Sequence, residues 1–168
     1  MWISGIKKWD EVNPESTYLM LISPQEIPHL VLVSKNAYYS LTHKKSVFDE
    51  PVQPYLKFLQ RSGKSVLIAE LRVEPLELST IFKRYQKANT DEITCLLPIR
   101  EALLPNSSAN FVFELIPELL GQDLIGAFYQ LNMDDLVNQS NDFELSTYSK
   151  EAIFSYIESL NEKYAKRD

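Results

Sequence analysis

The chain has little of the residue types that usually announce a chemistry. One cysteine, Cys95, in 168 residues forbids an internal disulfide and excludes a zinc site built on cysteine pairs. Two histidines, His29 and His43, leave too little for a histidine-rich site, so neither a metal nor a cofactor is expected. The four glycines, Gly5, Gly63, Gly121 and Gly126, are too scattered for a loop that cradles phosphate. No stretch reaches the roughly 18 apolar residues of a membrane span. The first ten residues lack a basic region followed by an apolar run, so no secretory signal is expected. With a lone thiol, that points to the cytoplasm.

What is present describes an ordinary globular domain. Hydrophobic residues at 45% and charged residues at 24% argue against a disordered chain or a fibre. The length suits one domain over 1–168, because about 150 residues is the usual size of one folding unit. The net charge of -6 argues against nucleic acid as a partner, since sequence-independent phosphate binding needs clustered Lys and Arg. That charge is unevenly placed. Residues 101–149 contain no Lys, Arg or His but hold Glu101, Glu114, Glu118, Asp123, Asp134, Asp135, Asp142 and Glu144. Such a window carries a negative potential that can steer a basic protein partner, with Glu114, Glu118, Asp123, Asp134 and Asp135 as its candidate binding residues. Asp134 and Asp135 could also suggest a divalent cation, but adjacent side chains point apart and no third ligand is spaced for one.

Periodicity sets out the elements. Thr17–Ser23 (TYLMLIS) reads as a strand buried on both faces, and His29–Ser34 (HLVLVS) and Ala37–His43 (AYYSLTH) as two more. Only Lys35-Asn36 separates the last two, which predicts a tight hairpin. Counting outward from Ser34 opposite Ala37 places His29 opposite Thr42, with His43 one step further. Both histidines thus fall at one end of one hairpin. Glu50–Arg61 is a helix by spacing, with Pro51 in its first turn and Gly63 as its stop. Ser65–Arg72 reads as a central strand. Pro75–Ala88 is an amphipathic helix with Leu78, Ile81, Phe82 and Tyr85 on one stripe. Thr94–Leu104 is a shorter helix interrupted by Pro98, and Phe111–Leu120 another, containing Pro117. Phe143–Thr147 reads as an edge strand. Ser149–Tyr164 is a final helix, capped by Ser149, that buries Ile153, Tyr156, Ile157 and Leu160. The order predicts an α+β fold: a mainly antiparallel sheet of four to five strands with four to five helices packed on it.

Cys95 lies at or just before a helix start, where backbone N–H groups and the positive end of the helix favour a thiolate. Pro98 disfavours helical geometry at Leu97, so the regular helix is expected to begin only at Pro98, with Cys95 one turn ahead of it. Nucleophilic catalysis further needs an imidazole within hydrogen-bond reach and a third polar group to orient that ring. His29 is the candidate base, and Thr42 or His43 the candidate third group. The competing reading of Cys95, flanked by Ile93, Leu96 and Leu97, is a small buried hydrophobe.

A strand opening with His (PHLVLVS), a tight turn, a strand ending in His (YYSLTH) and, some 50 residues on, a Thr-Cys entering a helix (TCLLPIREALL) resemble the circularly permuted papain-like proteins. These include the lecithin-retinol-acyltransferase-like group, in which His precedes Cys along the chain. The resemblance covers about residues 27–104. It implies His29 as general base, His43 as the orienting histidine, and Cys95 as a nucleophile on an amide, ester or thioester.

Two functional expectations follow. The first is a noncatalytic domain that binds a protein partner through its acidic second half. The alternative is a cysteine hydrolase or acyltransferase acting through Cys95 and His29.

Overall fold

A computed structural model describes residues 1–89 and 93–165. Strands β1 (Trp2–Ile3), β2 (Lys7–Lys8), β3 (Thr17–Ile22), β4 (His29–Ser34), β5 (Ala37–Leu41) and β6 (Ser46–Pro51) lead into helix α1 (Val52–Ser62) and strand β7 (Val66–Leu71). Helices α2 (Leu78–Lys83), α3 (Leu96–Leu103) and α4 (Val112–Gly121), strands β8 (Ile125–Leu131) and β9 (Phe143–Glu144), and helix α5 (Lys150–Ala165) complete the chain. Among the described residues the main sheet has seven strands in the order β2-β8-β7-β3-β4-β5-β6, and β1 pairs with β9 in a separate two-stranded sheet. Neighbours are antiparallel except β2 beside β8. The fold is therefore α+β, with a larger sheet than the four to five strands expected.

β3 explains the architecture. All six of its residues are buried, because both faces of the sheet are covered by other elements. Tyr18, Met20 and Ile22, with Val31, Val33 and Ile68, face α1 through Leu56 and Leu59. Leu19, Leu21, Leu30 and Leu32 face the opposite core, which α2, α3 and α4 close with residues such as Phe82, Ile99 and Leu115. A strand enclosed on both sides loses the polar alternation of a surface strand, and so reads as the unbroken run TYLMLI.

The β4–β5 hairpin turns on Lys35 and Asn36, both with positive φ (51° and 63°), the backbone that a two-residue turn between twisted strands requires. Ser34 pairs with Ala37 as the count predicts. Pairing then stops at Leu32 opposite Tyr39, and beyond that point β5 pairs with β6 through Ser40 and Leu41, after a register shift. His29 therefore has no Thr42 opposite it. Its ladder partner is Ile22 on the other side, in β3. The start of β4 and the end of β5 diverge, and the gap between them is the feature that positions the site.

The helices differ from expectation in three places. Pro51 precedes α1 as its N-cap, and Gly63 ends it in the left-handed conformation (φ 68°). The helix expected over Pro75–Ala88 is confined to Leu78–Lys83; beyond Arg84 the chain is irregular, and the Ala88 N–H donates to the Thr42 carbonyl just past β5 instead of to a helical acceptor. Pro98 does not interrupt α3. It is the third helical residue, in the first turn, where a backbone N–H would have no intrahelical acceptor, so its missing donor costs nothing. Cys95 is consequently the N-cap of α3 itself and not one turn away.

Candidate functional site

The divergence of β4 from β5 opens a cavity of about 360 Å³, inside the roughly 300–1,000 Å³ range of small-molecule sites. Its floor is the ends of three strands: Ile22, His29 and Leu30, then Leu41, Thr42 and His43. Tyr55, Phe58 and Leu59 of α1 form one side, and Cys95 with Leu96 at the start of α3 the other. Phe111, Val112 and Tyr148 add a third wall, where the Phe111 and Phe113 rings stack 4.8 Å apart with Tyr148 edge-on to both. Helix α5 roofs the space. Its cap is the expected one, with Ser149 Oγ accepting the Ala152 N–H at 3.1 Å; all four residues of its expected apolar stripe line the cavity, and of these only Ile157 is buried.

The lone cysteine and both histidines therefore line one space, with hydrogen-bond partners other than those expected for the histidines. His29 Nε2 lies 2.6 Å from Ser40 Oγ. A neutral ring that donates Nε2–H to Ser40 keeps the Nδ1 lone pair for the cavity. Thr42 cannot be the third group, because its Oγ1 donates to the Lys45 carbonyl and accepts the Lys44 and Lys45 N–H groups in the turn after β5. Nor does His43 orient His29. Its ring packs against Tyr164 of α5 at 5.2 Å, and its Nε2 is enclosed without a hydrogen-bond partner among the described residues. Ser40 is the residue that sequence reasoning missed. The signal existed, since Ser40 is the diagonal neighbour, two residues from Thr42, in the very register that set His29 opposite Thr42.

Electrostatics keep the site neutral at rest. Burial lowers the His29 pKa to about 4, with His43 and Lys64 adding repulsion of a second proton charge. His43 is lowered by burial and then by Lys44 and Lys87. Burial pushes the Cys95 thiol up to about 11, opposed by the backbone N–H groups of Leu30 and of Cys95 itself. The sulfur thus sits against the residue that follows His29. Among the described residues no three His, Cys, Asp or Glu side chains gather as a metal-binding group, and no helix is long and apolar enough to cross a membrane.

The acidic window is partly spent inside the molecule. Glu101 pairs with Arg84 and accepts the Tyr85 hydroxyl, Asp123 pairs with Arg72, and Asp134 accepts Gln130 Nε2 at 2.8 Å with Lys8 at 3.5 Å. Glu114 and Asp135 are exposed and Glu118 is half-buried on α4. No family model matches the chain, and neither a curated protein nor a solved structure matches it.

Proposed function

We propose that the domain is a cysteine-dependent acyl hydrolase or acyltransferase acting on an amide, ester or thioester, with Cys95 as nucleophile, His29 as base and Ser40 as the group that positions the ring. The observation that carries this reading is that Cys95 and His29 line one cavity, with His29 Nε2 2.6 Å from Ser40 Oγ; Nε2–H is then assigned to Ser40 and Nδ1 to proton transfer. In this reading Sγ bonds to the acyl carbon while its proton passes to His29 Nδ1. The leaving group departs with that proton; water or an acceptor alcohol or amine then attacks the thioester carbon, giving its proton to the same nitrogen, which returns it to Sγ as the C–S bond breaks and the acyl product leaves. The backbone N–H groups of Leu30 in β4 and of Cys95 at the start of α3 lie beside the sulfur and favour its anion. A reducing compartment such as the cytoplasm would keep the thiol free. The arrangement also suits the resemblance to permuted papain-like proteins, with Ser40 in the orienting role that the resemblance implied for His43.

The two pKa values set the difficulty of the step. They lie about seven apart, so moving the thiol proton to the ring costs roughly 10 kcal/mol before the attraction between the resulting charges is counted. Catalysis therefore needs bond formation to the acyl carbon in concert with the transfer, and a resting thiolate is not part of it. Turnover of p-nitrophenyl butyrate tests the reading. Cys95→Ala is expected to lose at least about 100-fold and Ser40→Ala about tenfold, as removal of a nucleophile and of a positioning group should. Equal rates for wild type and Cys95→Ala would exclude it.

The neutrality of the pair favours a second reading, a noncatalytic domain that binds a basic protein partner through the acidic window. The residues left for it are Glu114, Glu118 and Asp135, since Asp123 and Asp134 are already paired. Salt-sensitive retention on a basic resin that survives reversal of Glu114 and Glu118 to Lys would count against that surface.

A further inference from the structure

Among the described lining residues, the charge of the cavity is opposite to that of the molecule. The chain carries -6, yet among the described residues no carboxylate lines the cavity, and the charged side chain that does is Lys64, exposed at its mouth beside His29. Lys44 places its Nζ 3.8 Å over the Tyr164 ring, so a second ammonium sits at the end of the roof. The acid that acts on the lining from outside is Glu26, which faces Tyr156. The interior is apolar, walled by leucine, isoleucine and aromatic rings from both sides of the sheet. His43 also lines the cavity, but its Nε2 is enclosed away from the open space and without a partner among the described residues, so it is not among the groups that meet a ligand.

We propose that this cavity binds an amphiphilic monocarboxylate, its apolar chain enclosed beneath α5 and its carboxylate held at the rim by Lys64. An apolar chain alone would be satisfied by the walls. A cationic head would meet Lys64, and among the described residues no carboxylate lines the cavity to offset it, so the rim favours a negative head. The proposal uses the same cavity as the acyl-transfer reading and deepens it, because a carboxylate of this kind is the hydrolysis product of the ester or thioester that reading requires. Its binding does not depend on the thiol.

The test is calorimetric titration of the full chain with decanoate, 1-decanol and decyltrimethylammonium, each below its aggregation limit, at pH 7.5. Decanoate should bind about three- to fivefold more tightly than either of the others, the upper end of what one partly exposed charge pair is worth. Lys64→Gln, an exposed position whose change leaves the fold intact, should remove that preference and leave decanol binding unchanged. Cys95→Ala should bind decanoate as the wild type does. Equal affinity for all three probes, or no decanoate binding, would overturn the proposal. Decanoate binding without ester turnover removes the acyl-transfer reading alone, and turnover without decanoate binding removes this one alone.

Discussion

Acidification should destabilise this domain through His29, and by an amount that can be worked from the structure. In the unfolded chain the ring takes up a proton near pH 6.5; in the native state, desolvated beside His43 and Lys64, it does so only at about 4. Above pH 6.5 both states hold a neutral ring, and His29 makes no pH-dependent difference. Between 6.5 and 4 the unfolded state binds more protons than the native one, so stability falls as pH falls, by about 1.4 kcal/mol per pH unit and about 3 kcal/mol across the window. Urea unfolding of wild type and His29→Gln at steps from pH 8 to pH 4 measures this. Loss of the Ser40 hydrogen bond shifts the variant by a constant amount. His43, lowered in the same direction, is common to both proteins and cancels apart from its repulsion with His29. The wild type should therefore lose about 3 kcal/mol relative to the variant over that range. A difference independent of pH would refute the buried neutral ring. A difference of opposite sign, with the wild type gaining on the variant toward acid, would mean that His29 is cationic in the fold, as it would be beside a Cys95 thiolate.

Three further outcomes follow from the same geometry. Alkylation of Cys95 by iodoacetamide should be slow at pH 7, where a thiol with pKa about 11 is roughly 10⁻⁴ ionised, and should rise about tenfold per pH unit to pH 10; a plateau below pH 8.5 would show an activated thiolate. Ser40→Ala should cost about 1 kcal/mol of stability in thermal melts, by leaving a buried ring nitrogen unpaired, and Ser40→Thr should restore most of it; melts unchanged in Ser40→Ala would remove Ser40 from the positioning role. Ile157→Ala, at the buried point of α5, should destabilise by about 2 kcal/mol, the low end for a residue anchored in the core on one side of a helix, and loss of half that or less would mean that α5 is not held over the cavity.

The fold was legible where one force decided the pattern. The double enclosure of β3 and the positive φ at Lys35 and Asn36 each leave a plain trace, an unbroken apolar run and a two-residue polar gap. β6 and β8 leave none. β6 (SVFDEP) is an edge strand that ends in two acids and a proline, and its outer side has no strand to match. β8 (IGAFYQL) contains a glycine, and buries Gln130 because that side chain donates to Asp134 and accepts the Met133 N–H, so a polar letter stands where an apolar one is looked for. At the site, the register count brought both histidines to the right end of the hairpin but assumed that β5 continues beside β4. Pairing of β4 with β5 ends at Tyr39, and it is Ser40 Oγ, not Thr42 or His43, that lies against His29 Nε2, while the His43 ring packs on Tyr164 of α5. Pro98 misled for a related reason: a proline that breaks a helix interior is harmless in a first turn, and the placement of Cys95 turned on that difference.

The acyl-enzyme itself is the most direct test of the central claim. Wild type and Cys95→Ala are mixed with p-nitrophenyl butyrate, quenched in acid within seconds and weighed intact by mass spectrometry. The account requires a single butyryl addition in the wild type, mapped to Cys95 and released by hydroxylamine, and none in the variant. No addition in the wild type, or the same addition in Cys95→Ala, would contradict it.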